Sequence, residues 1–350
     1  MVNSSTITAG KKMSFKDSMK VWFELFCQSY FSVLLIALLV SVIISLIFTL
    51  FLSNSLWNQF MLGDQYELLY QSVLANPNYE YTEEDQLLIS SYTWVRVSLL
   101  ILSSTFMFLL PIALVMLTLY YVMQKATAKE AFMKESLSVP FVKGRVFGSI
   151  FFCLFIPSLI TLGLFFYVIP GFLVMIYSFF LFPSYYIDEA EGFKPFKLSI
   201  EYVKGNFFMI LFACFFGFGI PLLMGNLIAR LFPFFGFTQD AFRSWLDPES
   251  RNYLMIFIYH FAIYGVQAVF YPILPPLVFV LYTKIKNEKL EEIMRVKKQQ
   301  AKELGDESEV VTVFLRGGQK KFKCPSCGTE LNAGIKKCFQ CGKFIKYRIK

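Results

Sequence analysis

The residues of this chain best suited to chemistry are the four cysteines of "CPSCGTELNAGIKKCFQCG" (324–342). Two C-x-x-C pairs, Cys324/Cys327 and Cys338/Cys341, stand ten residues apart, and a glycine, Gly328 or Gly342, follows each. Thiolates at this spacing close a tetrahedral zinc site, and glycine allows the positive φ that turns backbone amides toward sulfur. All four positions are cysteine, which leaves no open position for a substrate, so the expected Zn2+ is structural. A redox dithiol is the competing chemistry, and the doubling of the motif argues against it. Cys27, Cys153 and Cys214 lie singly in or beside apolar runs, where a thiol acts as a small hydrophobe.

Two other groups could carry chemistry. Asp188, Glu189 and Glu191 form an acidic cluster at a membrane boundary. They suit a cation or lipid-amine site, or, as we prefer, the start of a helix over 190–204, where carboxylates complement the dipole. His260 is the single histidine and falls inside the last apolar run. An intramembrane ionisable group is a functional candidate, but a neutral histidine bonded to a neighbouring helix is the preferred expectation. The seven span prolines (Pro111, Pro157, Pro183, Pro221, Pro272, Pro275 and Pro276) could break helices as transporters do, or merely kink them. The chain has no phosphate-cradling glycine loop, no H-E-x-x-H and no G-x-S-x-G.

The elements that hold these residues are membrane spans. Charged residues make up 17% of the chain, below the roughly 25% of soluble domains, and the apolar residues come in long uncharged runs. The first 29 residues lack the short apolar core and cleavage site of a secretory signal. Six transmembrane helices are expected at about 31–53, 97–123, 147–168, 171–187, 207–229 and 253–283, since only helices satisfy their backbone in lipid. Pro170 and Gly171 suit a hairpin turn between the third and the short fourth. No span core holds Asp, Glu, Lys or Arg, which weighs against pumps and most ion-coupled transporters.

Basic residues set the orientation. With the N-terminus in the cytoplasm, 29 of the 33 lysines and arginines lie inside, and only Arg96, Arg230, Arg243 and Arg251 outside. The acidic stretch 63–86 then forms an outer loop, and both termini are cytoplasmic. Cytoplasmic cysteines stay reduced, which suits thiolates bound to metal.

The membrane part carries a weak repeat. "VKGRVFGSIFF" (142–152) matches "VKGNFFMILFA" (203–213) at Val142/Val203, Lys143/Lys204, Gly144/Gly205 and Phe147/Phe208, and "FKDSMK" (15–20) echoes "FKLSIE" (196–201). Three units are implied, each an amphipathic inner-face segment followed by a helical hairpin. Phe15, Met19, Trp22 and Phe26, like Phe196, Ile200 and Val203, recur at helical spacing beside lysines, as in helices lying in the interface on anionic headgroups. The alternative is that these segments are the ends of tilted spans.

The run "GLFFYVIPGFLVMIYSFFLFPSYYIDEAEGFKPFKLSIEYVKGNFF" (163–208) resembles the signature of the YciC-like bacterial inner-membrane proteins of unknown function. It is similar also to the membrane domain of glycerophosphoryl diester phosphodiesterases. The matching positions are Ile169, Pro170, Gly171, Asp188, Glu189, Gly192, Ser199, Lys204 and Gly205. The resemblance implies the six-span plan and a bacterial inner membrane. It gives no ground for phosphodiesterase activity, because the soluble catalytic domain is missing and a zinc ribbon is added.

The expectation is therefore an all-α polytopic membrane protein with interfacial amphipathic helices and a small C-terminal zinc ribbon. Its parts are an amphipathic segment (1–30), a membrane domain (31–283), a charged helical linker (284–308) and the ribbon (309–350). Within the linker Glu291 and Arg295 form an i,i+4 pair, "GDES" (305–308) stops the helix, and "VVTVFLRGG" (310–318) reads as a strand. Expected partners are the bilayer, with anionic lipids at the cytoplasmic face, and a cytosolic protein docked on the ribbon. Lys320, Lys321, Lys323, Lys336, Lys337, Lys343, Lys346, Arg348 and Lys350 would allow nucleic acid, but a solvated basic surface is preferred. The expected function is a non-enzymatic scaffold or envelope-organising factor. A transporter or lipid-handling protein is the alternative, to be recognised by a polar cavity at Asn226, His260 or Gln267, and an intramembrane enzyme comes third.

Overall fold

The computed structural model describes residues 14–76, 78–127, 131–142, 144–303, 310–315, 321–332, 335, 338, 340–341 and 344–349. The chain divides into two compact units, 1–286 and 287–350. Among the described residues, six stretches are helical, long and apolar enough to cross a membrane: Phe15–Ala75, Glu83–Ala126, Val146–Phe166, Val168–Tyr186, Phe207–Ala229 and Tyr253–Val296. Each matches one expected span, although 147–168 and 171–187 run one or two residues past theirs.

The first stretch consists of α1 (Phe15–Ile47), a π-wound turn (Phe48–Leu52) and α2 (Ser53–Ala75). The second is the single helix α3 (Glu83–Ala126). Two expectations change here. The amphipathic residues 15–26 do not form a separate interfacial helix, because no glycine or proline interrupts the chain between Phe15 and Leu52. The acidic connection 63–86 is also largely helical. It continues α2, and α3 begins where Thr82 and Asp85 form a reciprocal capping box.

The other units do break. α4 (Met133–Ser138) and α8 (Lys194–Val203) are short helices ahead of α5 (Val146–Phe166) and α9 (Phe207–Cys214). Between them lie Gly144 at φ +90° and Gly205 at φ +85°, the paired glycines of the repeat. The left-handed region is cheap only for glycine, so each marks the corner between an amphipathic helix and a span. The paired phenylalanines Phe147 and Phe208 are likewise 83% and 81% exposed on the flank of their helices. Lys143 lies outside the described residues.

The fourth stretch is α6 (Val168–Tyr177) and α7 (Leu181–Tyr186). The turn from α5 falls at Tyr167, so Pro170 and Gly171 do not make it; they sit in the first turns of α6. Gly171 serves close packing instead, because a Cβ there would stand 2.4 Å from the Leu164 backbone nitrogen. The fifth stretch is α9, a π-wound segment (Phe215–Gly219) and α10 (Ile220–Ala229). After α11 (Gln239–Leu246) comes the sixth, made of α12 (Tyr253–Phe270), a 3-10 turn (Tyr271–Ile273) and α13 (Leu274–Glu303).

In the first unit the spans pack in sequence order, and the sixth closes on the first. The residues Leu110–Val122, Ser178–Tyr186 and Leu274–Tyr282 of spans 2, 4 and 6 are almost continuously buried, so these spans form the core. That is why they read as apolar all round. Each amphipathic segment packs on an even-numbered span: α4 on α3, α8 on α6 and α7, and the start of α1 on the 3-10 turn of span 6. The three units thus follow one another around a ring.

Serines make two of these junctions. The Ser136 hydroxyl donates to the Leu117 carbonyl at 3.0 Å and accepts the Tyr121 amide at 2.9 Å. Ser199 does the same across the break in span 4, donating to the Tyr177 carbonyl at 2.6 Å and accepting the Phe180 amide at 3.1 Å. In the first unit the indole of Trp22 donates to the Ile273 carbonyl at 3.3 Å. At Tyr177, Phe180 and Ile273, where the span helix is interrupted, such bonds supply partners to open backbone groups.

Candidate functional site

The four cysteines come together in the second unit. Strands β2 (Lys321–Lys323) and β3 (Glu330–Asn332) pair antiparallel, with Phe322 opposite Leu331. β1 (Val310–Leu315) pairs parallel with β4 (Phe344–Ile349), so 310–315 is a strand as expected. The knuckle after β2 is tight: the Gly328 amide donates to the Cys324 carbonyl and the Cys324 amide to the Thr329 carbonyl, both at 2.8 Å. Gly328 takes φ +74°, the conformation expected of it, while Gly342 lies outside the described residues.

The sulfurs of Cys324, Cys327, Cys338 and Cys341 all lie within 4.8 Å of one another and could hold a metal ion. The Cys324–Cys341 and Cys327–Cys338 pairs are 3.8 and 3.6 Å apart, far beyond the ~2.05 Å of a disulfide. Cys324 and Cys338 are buried with Phe322, Leu331 and Ile345, and Cys327 is exposed. A hydrogen bond with the Thr329 hydroxyl at 3.2 Å, helped by the Thr329 backbone, lowers the Cys327 thiol to about 6. Its thiolate is therefore the abundant form at neutral pH. Of the neighbouring basic residues, Lys321, Lys323, Lys346 and Arg348 belong to β2 and β4. Lys320, Lys336, Lys337, Lys343 and Lys350 lie outside the described residues, as does 305–308.

The acidic cluster does not start a helix. α8 begins at Lys194 with no acidic residue in its first turn. Asp188 pairs with Lys286 of α13 at 2.5 Å and accepts the Tyr202 hydroxyl at 3.1 Å. Burial and the adjacent carboxylate push Tyr202 up to about 12, so it remains a donor. Glu189, at φ +53°, pairs with Arg145 at 3.4 Å, and Glu191 is exposed. Opposite charges won over the helix dipole because Lys286 and Arg145 stand within reach, and 98 residues separate Lys286 from Asp188, so no local pattern announced the pair.

His260 also differs from expectation. Its Nε2 is buried without a hydrogen-bond partner, and its ring packs on Phe48 at 4.7 Å and on Phe242 and Tyr259 at 5.6 Å. Phe242 comes from α11, which rests on α2 and α12 and is tied to α2 by a paired Arg243–Asp64 contact. The aromatic enclosure, rather than a neighbouring polar group, holds the imidazole. Asn226 lines an apolar cavity, together with Cys214, but His260 and Gln267 do not line it. No known family profile, curated protein or solved structure matches this chain.

Proposed function

We propose that the chain is a non-enzymatic, multi-pass protein of a cytoplasmic membrane, with both termini in the cytoplasm and a C-terminal zinc ribbon that docks a partner. The observation that carries this reading is the four-sulfur cluster. A tetrahedral ion with metal–sulfur bonds of ~2.3 Å separates its sulfurs by about 3.8 Å. The 3.6 and 3.8 Å pairs fit that edge. A module with so small a core draws its folding free energy from the metal, and what it then offers is a rigid surface. The reading as scaffold or envelope-organising factor, rather than enzyme, is supported by the other candidates. Asp188 and Glu189 are engaged by cations, and His260 is walled in by rings.

The test is metal stoichiometry and crosslinking on the full chain. Purified protein is expected to carry one zinc, and Cys324→Ser to lose it and its nearest crosslinked cytosolic neighbour while the spans stay inserted. Unchanged zinc in that variant, or an unchanged set of neighbours, refutes the metal site or the docking role respectively.

A further inference from the structure

A cavity of about 440 Å³ opens among spans 2 to 5, within the size range of ligand sites. Its wall includes Leu164, Met175, Cys214, Phe218 and Leu222, with Asn226 as the single polar side chain. We propose that this cavity binds one acyl chain of a membrane phospholipid, entering sideways between spans 4 and 5 with its ester end at Asn226.

Four observations support this. Spans 4 and 5 meet chiefly through α6 and α9, where the rings of Tyr177 and Phe207 touch, while α10 packs chiefly on α12 of span 6. The rim residues Phe172, Phe215 and Leu223 are exposed, so the cavity opens on the flank of the bundle. Both flanking elements belong to stretches fit to cross a membrane, where the surrounding solvent is hydrocarbon. The π-wound segment Phe215–Gly219 faces the cavity and widens span 5 there, a recurring feature of functional sites.

Water does not suit the space, because an internal water needs two to four polar partners and the wall offers one side chain. An empty void forfeits the dispersion contacts of its lining. A flexible apolar chain restores them. From Leu211 to Asn226 the wall follows about 22 Å of helix, more than the roughly 15 Å of hydrocarbon in one leaflet, so it can lie along the whole of an acyl chain. The amide of Asn226 can donate to an ester carbonyl at the polar end.

The test uses full-length protein in phosphatidylethanolamine–phosphatidylglycerol vesicles containing a trace of phospholipid with a diazirine at its acyl terminus. After irradiation, labelled peptides are mapped by mass spectrometry. Label on Cys214–Leu222 should exceed that around the outward-facing Leu154 several-fold, and Leu222→Trp should abolish the excess while Leu154→Trp leaves it. If Leu222→Trp does not fold, Leu222→Phe is held to the same criterion. Equal label at the two places, or an excess untouched by a folded filling variant, overturns the proposal. So does an excess seen only with a free fatty acid bearing the same diazirine.

Discussion

At the scale of single residues, Thr329 sets the reactivity of the four-cysteine cluster. Its hydroxyl and backbone lower the Cys327 thiol to about 6, so in metal-stripped protein Cys327 is a thiolate above that pH and a thiol below it. The pH profile of Cys327 alkylation, read by peptide mass spectrometry, should have its midpoint near 6. Thr329→Val should move that midpoint upward, toward the roughly 8.5 of a free cysteine. A midpoint that stays put would show that the hydroxyl is not the cause. The cysteines were readable because their chemistry is local, within 18 residues of chain. Ser199 was not readable, because an ordinary serine in an amphipathic helix gives no sign that it will reach the Tyr177 carbonyl and Phe180 amide. Ser199→Ala leaves that amide buried and unpaired, at about 1–3 kcal/mol. Thermal unfolding in detergent should show the loss, and Ser199→Thr, which keeps the hydroxyl, should recover most of it.

At the scale of elements, the corners decide how each unit is built. The V-K-G triplets were legible as a repeat, and the reason they recur is that the chain leaves an amphipathic helix through a glycine at positive φ. α1 has no such glycine, and its amphipathic start runs straight into the span. Gly205→Ala should therefore cost about 1–2 kcal/mol from backbone strain alone. A Cβ there meets nothing within 4 Å, so no steric penalty is added. Gly205→Asn should cost less, since asparagine tolerates this region. Gly171→Ala should be the more damaging change, because its Cβ would press on the backbone of α5 and drive the two helices apart. Melting curves of the three variants would rank them, and Gly205→Ala falling below Gly171→Ala would contradict the assignment. Pro170 and Gly171 were misread as a turn because composition marks a small residue without saying whether bending or close approach requires it.

At the scale of the whole membrane unit, apolar runs specify spans without specifying neighbours. The stretches Leu110–Val122, Ser178–Tyr186 and Leu274–Tyr282 of spans 2, 4 and 6 are almost continuously buried, and no period in their sequence distinguishes a partner helix from lipid. Ring closure and the cavity between spans 4 and 5 therefore had no signature, whereas the number of spans did. Charge, unlike hydrophobicity, has a direction. The hairpin of α2 and α3 carries Asp64, Glu67, Glu80, Glu83, Glu84 and Asp85, and the opposite connections carry the lysines of 124–146 and 188–206. If basic residues hold their connections inside, Gln71→Cys should react with an impermeant maleimide on intact cells, and Lys134→Cys only after permeabilisation. Both side chains are exposed, so the contrast reads side rather than burial. The reverse pattern would place the C-terminal cysteines where thiols oxidise, since an even number of crossings puts them on the side of the N-terminus. Cys324 and Cys341 would then pair as disulfides more readily than they would hold zinc, and the docking role would fall with the topology.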